Sequence, residues 1–125
     1  MKKLFIGGKW VAPAQADGIP VYSPATGESY DEIARGQASD IDLAMKAARE
    51  AINGVWGKTT ATERGRILMK IGESVLANQE ELAGIEAKDT GKPLELARKD
   101  IQALARYFEF YGSAADKVHG QVIPY

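Results

Sequence analysis

A helix terminator at residues 85–93 constrains the fold of this chain more than any other stretch. It reads Ile-Glu-Ala-Lys-Asp-Thr-Gly-Lys-Pro and lies between two long helical patterns. Lys88 is placed in the last helical turn, Gly91 suits the left-handed conformation that closes a helix, and Pro93 cannot continue one. We therefore expect one helix to end here and the turn to fix the angle between two long elements.

The first third of the chain carries two β-hairpin patterns. Residues 4–11 place short apolar segments on either side of Gly7-Gly8, a two-residue loop that tolerates positive φ at both positions. Residues 19–36 place a second pair of strands around the Ser-Pro-Ala-Thr-Gly turn at 23–27, and the returning strand is expected over residues 30–34. Because a lone hairpin is marginal in water, the first hairpin must pack on another element.

Four helical patterns follow the hairpins. The first is expected to begin at Ser39, with a capping box completed by Asp42, and to end at Asn53-Gly54. Thr60 and Glu63 have the spacing of a second capping box. A third cap begins at residue 78, and its helix runs to the terminator. The fourth and longest pattern begins at residue 94 and is expected to end at residue 120, where residues 121–125 resemble the start of a strand.

Each long helical pattern carries apolar stripes that we expect to be buried. In the first two helices these stripes are Ile41, Ala44, Met45, Ala48 and Ile52, and Ile67, Leu68, Ile71, Val75 and Leu76. The last pattern has two stripes, formed by Ile101, Leu104, Ala105 and Phe108 and by Tyr107, Tyr111, Ala114 and Val118. A helix apolar on two faces is usually sandwiched between partners. Gly112, within this pattern, indicates a close approach or a slight break.

Composition excludes several functional classes. The 125 residues are 45% hydrophobic and 26% charged, which is typical of one globular domain. Sixteen basic and 17 acidic residues leave no bias towards nucleic acid or an anionic membrane. The absence of cysteine excludes disulfides, thiolate metal sites and a thiol nucleophile from this chain. No apolar run approaches the roughly 20 residues of a membrane span, and Lys9 interrupts the only signal-peptide-like start. A cytoplasmic location is the default expectation.

Candidate chemical groups are few. His119 is expected near the end of the last helix, as a surface or helix-terminal cation without a relay partner. Glu86 and Asp89 are spaced like a carboxylate pair, but we favour ordinary surface charge. Trp56 is expected in a loop, as a plug for the core edge. The basic residues of the second helix are expected on a solvated face rather than at a phosphate site: Arg64, Arg66 and Lys70.

Six strings in order resemble the N-terminal segment of the NAD(P)-dependent aldehyde dehydrogenase superfamily. They are FIGGKWV at 5–11, SPATGE at 23–28 (with serine in place of the usual asparagine), DLAMKAAR at 42–49, ERGRIL at 63–68, DTGKP at 89–93, and the tyrosine-rich segment 107–120. The resemblance implies an α+β, mainly helical fold, with two N-terminal β-hairpins followed by about four helices. It also implies that residues 1–125 form a single incomplete domain, the N-terminal part of the family's α/β cofactor-binding domain.

The resemblance implies a parent enzyme that oxidises an aldehyde to a carboxylic acid. In the family this proceeds through a cysteine thiohemiacetal and hydride transfer to NAD or NADP. The catalytic groups and the main cofactor-contacting strings lie downstream of the matched segment, so no catalytic or cofactor-binding residue is assigned here. We expect the chain alone to be inactive and not to bind NAD tightly. Its expected partners are the remainder of the parent polypeptide or another copy, within a homo-oligomeric parent, and not nucleic acid or a membrane.

The resemblance also implies a structural monovalent cation. In the family it is held by backbone oxygens before the hairpin turn and by the aspartate of the terminator, which here are Val21, Tyr22 and Asp89. Oxygen ligands suit a hard cation. This predicts a contact between Asp89 and residues 21–22 that joins the terminator to the second hairpin. The alternative hypothesis is a non-catalytic helical association module, since uncovered apolar faces usually mark interfaces.

Overall fold

The computed structural model describes residues 3–124. Its elements are β1 (Leu4–Ile6), β2 (Lys9–Val11), β3 (Gly18–Tyr22), β4 (Ser29–Ala34), α1 (Ala38–Asn53), α2 (Val55–Lys58), α3 (Ala61–Ala77), α4 (Gln79–Thr90) and α5 (Leu94–Ala114). Two antiparallel two-stranded sheets and four long helices confirm the predicted α+β, mainly helical fold. The described residues form two compact units, one up to Lys58 together with Lys88–Gly91, the other Thr59–Ala87 together with the chain from Lys92.

The first hairpin, β1–β2, has the predicted two-residue turn. Gly7 and Gly8 have φ of 60° and 77°, the left-handed conformations that a tight hairpin needs at both positions. Gly7 lies against α1, where a Cβ built on it would be 3.7 Å from that of Ala47. The opposite face carries the cross-strand pair of Phe5 and Trp10, whose ring centroids are 5.0 Å apart and whose side chains are exposed. The hairpin therefore buries only one face.

The second hairpin, β3–β4, contains a β-bulge. Its turn closes with the Gly27 amide donating to the Ser23 carbonyl at 2.7 Å, and Gly27 has φ of 74°. Val21 pairs with Asp31 and Tyr22 with Ser29, so one β4 residue, Tyr30, lacks an opposite partner. A bulge of this kind bends its strand and redirects the extra side chain.

The helix α1 begins one residue earlier than predicted, and its predicted capping group is wrong. The helix begins at Ala38, and the Asp40 carboxylate accepts the Gln37 amide at 2.9 Å. The same carboxylate is buried and accepts the Ala14 amide at 3.1 Å. Asp42, the predicted partner of Ser39, is exposed. The reason is the long-range bond to Ala14, which makes Asp40 the better capping group.

The apolar stripe predicted to be buried on α1 is largely exposed. Its three largest members have exposed fractions of 59% (Ile41), 50% (Met45) and 63% (Ile52). The half-buried residues of the helix are small, Ala44 and Ala47. Trp56 is also exposed and lies in the short helix α2 rather than in a loop, so it does not plug a core edge. The large side chains of this region are therefore about half exposed or more in the part of the chain that the structure describes.

The second unit begins with the predicted capping box. The Thr60 hydroxyl accepts the Glu63 amide at 3.2 Å, and the Glu63 carboxylate accepts the Thr60 amide at 2.8 Å. These two bonds satisfy backbone donors that the first turn of α3 cannot pair internally. The start of α3 is thus fixed by residues three positions apart, and the prediction is confirmed.

Helix α3 packs on α5 through glycines. The buried residues of α3 are Gly65 and Gly72, and a Cβ built on Gly65 would lie 2.3 Å from the carbonyl oxygen of Gly112 on α5. The stripe predicted to be buried is mostly exposed or half-buried, with Ile67, Ile71 and Leu76 exposed. The backbones approach so closely that large side chains are displaced to the flanks. Gly112 marks a close approach and not a break, since α5 continues through it.

The small core of the second unit joins α4 and α5. Ala83, Ala97 and Ile101 form it, with Val75, Leu82 and Ala87 packed against them. Ala105 is also fully buried. The remaining residues of the two stripes predicted for α5 are exposed or half-buried, and Tyr107 and Tyr111 are more than 60% exposed. Among the described residues no large side chain is fully buried.

The terminator behaves as predicted, whereas the end of α5 does not. Helix α4 ends at Thr90, Gly91 has φ of 74°, and α5 begins at Leu94 after Pro93. Helix α5 ends at Ala114 rather than near residue 120, because the Ala114 carbonyl accepts the Lys117 amide in a turn. Residues 121–124 form no strand, and Tyr125, at the end of that predicted strand, lies outside the described residues. Within residues 3–124 no helix has the length and hydropathy to cross a membrane.

Candidate functional site

The residues that end α4 pack against the second hairpin, and we call this set of residues the terminator contact. Its members are Pro24, Tyr30, Lys88, Asp89 and Gly91. The Tyr30 hydroxyl donates to Asp89 Oδ1 at 3.2 Å, and Lys88 Nζ lies 4.1 Å from the centroid of the Tyr30 ring. A Cβ built on Gly91 would be 2.9 Å from Pro24 Cγ. The terminator therefore contacts the hairpin at two places, Tyr30 and Pro24.

The bulge explains why Tyr30 makes this contact. Tyr30 has no partner across the β3–β4 ladder, and its side chain is half-buried. Burial, followed by the negative charge of Asp89 and the hydrogen bond to it, raises the pKa of Tyr30. The hydroxyl therefore remains a hydrogen-bond donor throughout the neutral range. A cation over the ring face adds an electrostatic attraction from the Lys88 ammonium.

The structure brings Asp89 to the second hairpin, but its hydrogen bond is to Tyr30. Val21 and Tyr22, the other residues of the predicted cation site, flank the bulge on β3. Val21 is half-buried and Tyr22 is exposed. Sequence reasoning missed Tyr30. The available signal was an aromatic residue directly after the hairpin turn, and the bulge that redirects it has no local sequence signature.

The chemistry of this contact suits a hard cation better than a transition metal. The residues predicted for the cation site would supply the Asp89 carboxylate and the carbonyl oxygens of Val21 and Tyr22, and such oxygens are ligands of alkali and alkaline-earth ions. Within residues 3–124 no three His, Asp or Glu side chains are grouped to hold a metal ion. The predicted ligands are therefore of the chemical type that binds a monovalent cation.

Glu86 and Asp89 do not act as a carboxylate pair. Glu86 accepts from Lys92 Nζ at 2.6 Å, and Lys92 also contacts Asp100 at 2.5 Å. The hydrogen bonds from Lys92 to Asp100 and then to Glu86 raise the pKa of that lysine. Asp89 has Tyr30 as its partner instead. The two carboxylates thus serve different contacts, in agreement with the surface-charge interpretation.

The other candidate groups form no enclosed site. His119 is exposed and lies beyond the end of α5. Arg66 and Lys70 are exposed as predicted, while Arg64 is half-buried. A depression along α1 is open to solvent and lined by both signs of charge, among them Asp42, Lys46, Arg49 and Glu50. Cofactor pockets are usually enclosed and largely apolar, so this depression is a poor candidate.

Comparison with known proteins assigns the fold. The model of the aldehyde dehydrogenase family matches residues 10–125. The mitochondrial aldehyde dehydrogenase family 2 member B4 of Arabidopsis thaliana is 41% identical over 98% of this chain and 23% of its own length. A Burkholderia cenocepacia crystal structure assigned to an aldehyde dehydrogenase has a TM-score of 0.92 at 56% identity, over 98% of this chain and 26% of that one. The structure of PnpE in complex with nicotinamide adenine dinucleotide has a TM-score of 0.90 at 38% identity, over 99% of this chain and 26% of that one.

The ordered strings, the hairpin-and-helix architecture and these matches define one class of protein. The chain belongs to the aldehyde dehydrogenase family and corresponds to its N-terminal segment. It spans about a quarter of the length of the relatives that it matches. The relatives include an enzyme crystallised with NAD, which supports NAD as the cofactor of the family.

Proposed function

We propose that this chain works as the N-terminal segment of a longer NAD(P)-dependent aldehyde dehydrogenase, which oxidises an aldehyde to a carboxylic acid. The rest of the polypeptide would supply the nucleophilic cysteine, which this sequence lacks. The segment would contribute packing surface and would neither bind NAD tightly nor catalyse oxidation alone. In this proposal residues 1–125 are one incomplete domain that the remaining polypeptide completes, and the assembled enzyme is a homo-oligomer.

The observation that carries the proposal is the amount of exposed surface. The chain exposes 9646 Å² at 13.5 kDa. A compact monomer of this mass exposes about 6,500 Å², and two separate domains of half the mass expose about 7,900 Å² together. The surface of the chain therefore exceeds both of these values. It includes large apolar side chains on α1 and α5 that usually require cover.

Complementation tests this function. The chain is expressed alone and together with the complementary part of the Burkholderia cenocepacia relative, from which the matching first quarter has been removed. We expect no aldehyde-dependent NADH formation from either part alone, and activity from the two together, because the apolar faces recover their cover. A charged substitution on the exposed α1 stripe, Met45→Glu, should reduce this activity, whereas Lys46→Glu should not. Aldehyde oxidation by the chain alone would contradict the proposal.

Without the remaining polypeptide, the same apolar faces favour association between copies of this chain. Sedimentation velocity tests this directly. We expect a concentration-dependent shift to larger species, which Met45→Glu reduces and Lys46→Glu does not. A monomer at all concentrations would show that the exposed faces do not associate.

The proposed function includes a monovalent cation bound by the carbonyl oxygens of Val21 and Tyr22 and the carboxylate of Asp89. Its support is the placement of Asp89 against the hairpin that carries the other two residues. The proposal keeps a cytoplasmic location as the default. Because a matched Arabidopsis relative is mitochondrial by name, fractionation of the native cell compartments is the appropriate test.

A further inference from the structure

We infer that Tyr30 is a positioning residue, which holds the Asp89 carboxylate at the second hairpin so that the carboxylate can bind a monovalent cation. The inference rests on the cation site in the proposed function and assigns a role to a residue outside its ligand set. It follows from the bulge, which leaves Tyr30 without a ladder partner, and from the hydroxyl bond to Asp89 Oδ1 at 3.2 Å.

The need for a positioning residue follows from the exposure of Asp89. Asp89 lies in the last turn of α4 and is exposed, so packing does not restrict its carboxylate. An unrestrained carboxylate pays the loss of rotamer freedom when it binds an ion. A hydrogen bond to one carboxylate oxygen fixes the group and leaves the other oxygen available as a ligand. Partners of this kind orient ligating carboxylates and typically change metal affinity by about 10–100-fold.

One contact supports the Tyr30 ring, and a second holds the turn of its hairpin against the terminator. The Lys88 ammonium lies 4.1 Å from its ring centroid, and Gly91 packs closely on Pro24 in the turn of the same hairpin. The hydroxyl is therefore presented to Asp89 from a supported ring. The ammonium is close enough to oppose a bound cation, so replacement of Lys88 should strengthen cation binding rather than weaken it.

The test is the thermal midpoint of the 125-residue chain, titrated with NaCl or KCl against choline chloride at constant ionic strength. A cation that binds only the folded state raises the midpoint with its concentration. Tyr30→Phe removes the hydroxyl and keeps the ring. Tyr107→Phe is the control, since Tyr107 is an exposed tyrosine on α5. We expect Tyr30→Phe to raise the half-saturating cation concentration about tenfold, Tyr107→Phe to leave it unchanged, and Lys88→Gln to lower it.

The outcomes separate this inference from the proposal on which it rests. If Tyr30→Phe titrates like the unsubstituted chain, the positioning role is overturned while the cation site stands. If the unsubstituted chain shows no cation response, or Asp89→Asn retains the full response, the cation site fails and this inference fails with it. An equal shift in Tyr107→Phe would also overturn the role of Tyr30, because the effect would then not be local.

Discussion

The two packing units are stabilised by different kinds of contact. In the first, polar side chains bridge distant segments: Asp40 accepts the Ala14 amide, Arg35 pairs with Asp17 at 3.0 Å, and Tyr30 donates to Asp89. In the second, α3 and α5 meet where both helices carry glycine or alanine. The first unit therefore depends on specific side chains that are present, and the second on side chains that are absent.

This difference indicates which substitutions each unit tolerates. Exposed ion pairs contribute little individually, so the first unit depends mainly on its buried Asp40 and its glycine turns. Backbone packing in the second unit leaves no space at the contact, so even a methyl group has to displace a helix. The following predictions test that contrast, in order of the difference in stability expected between each variant and its control, largest first.

Gly65→Ala should destabilise the second unit most. Its Cβ would lie 2.3 Å from the Gly112 carbonyl oxygen, so α3 and α5 must separate. Overpacking of about 3 kcal/mol exceeds the gain of about 1 kcal/mol in helix propensity, and we expect a net loss of about 2 kcal/mol. The measurement is the free energy of unfolding in urea. The control is Gly84→Ala on α4, which meets no atom within 4 Å and should stabilise by about 0.5–1 kcal/mol. Equal values for the two variants would refute the close-packing argument.

Asp40→Ala tests the first unit in the same way. Loss of the carboxylate leaves the Gln37 and Ala14 amides without their acceptor, and we expect a cost of about 1.5 kcal/mol. Asp42→Ala is the matched control, since this exposed residue should change stability by less than about 0.5 kcal/mol. Urea unfolding of both variants decides the question. A larger effect at Asp42 would restore the capping box expected from the sequence.

Gly91→Ala and Gly27→Ala separate turn conformation from packing within the first unit. Both glycines have φ of 74°, so each substitution costs about 1–2 kcal/mol for the left-handed backbone. Only Gly91 would add a contact, at 2.9 Å from Pro24. Gly91→Ala should therefore unfold at lower urea, by about 1 kcal/mol of additional destabilisation. Identical losses would show that the terminator does not press on the hairpin turn.

Glu63→Gln should have the smallest effect, a small loss of stability at neutral pH that disappears in acid. Hydrogen bonds from the Thr60 amide and hydroxyl lower the pKa of Glu63 below its ordinary value. Its stabilising contribution is therefore present above that ordinary value and is lost as the pH falls through the lowered pKa. Thermal midpoints recorded from neutral to acid pH should decline less for Glu63→Gln than for the unsubstituted chain. Glu73→Gln, on the exposed part of α3, should leave the decline unchanged.

The sequence predicts those features that are set by residues a few positions apart. The Gly7-Gly8 turn, the Thr60 capping box and the Gly91 terminator each satisfy a local backbone requirement, and all three are confirmed. The prediction that the large apolar stripes of α1 and α3 are buried was wrong. Periodicity shows that a helix has an apolar face but not which partner covers it. The buried face of α3 is formed by Gly65 and Gly72 instead. Among these glycines and their partner on α5, only Gly112 was predicted from the sequence to mark a close approach.

In the candidate site, too, one residue was predicted from the sequence and another was not. The family resemblance predicted a contact between Asp89 and the second hairpin, and Asp89 does contact that hairpin, at Tyr30. Tyr30 could not be found because its direction depends on a register shift between β3 and β4. The alternation of apolar and polar residues along a strand does not reveal where such a shift occurs.

The bond between Tyr30 and Asp89 also has a consequence for the order of folding. The two residues are 59 positions apart. Closing a flexible loop of that length costs about 3.6 kcal/mol from its length alone, whereas one hydrogen bond contributes about 1 kcal/mol. The contact therefore cannot form from an unstructured chain. Helical structure between the two residues has to form first and shorten the effective loop, so the second hairpin acquires its contact with Asp89 late in folding.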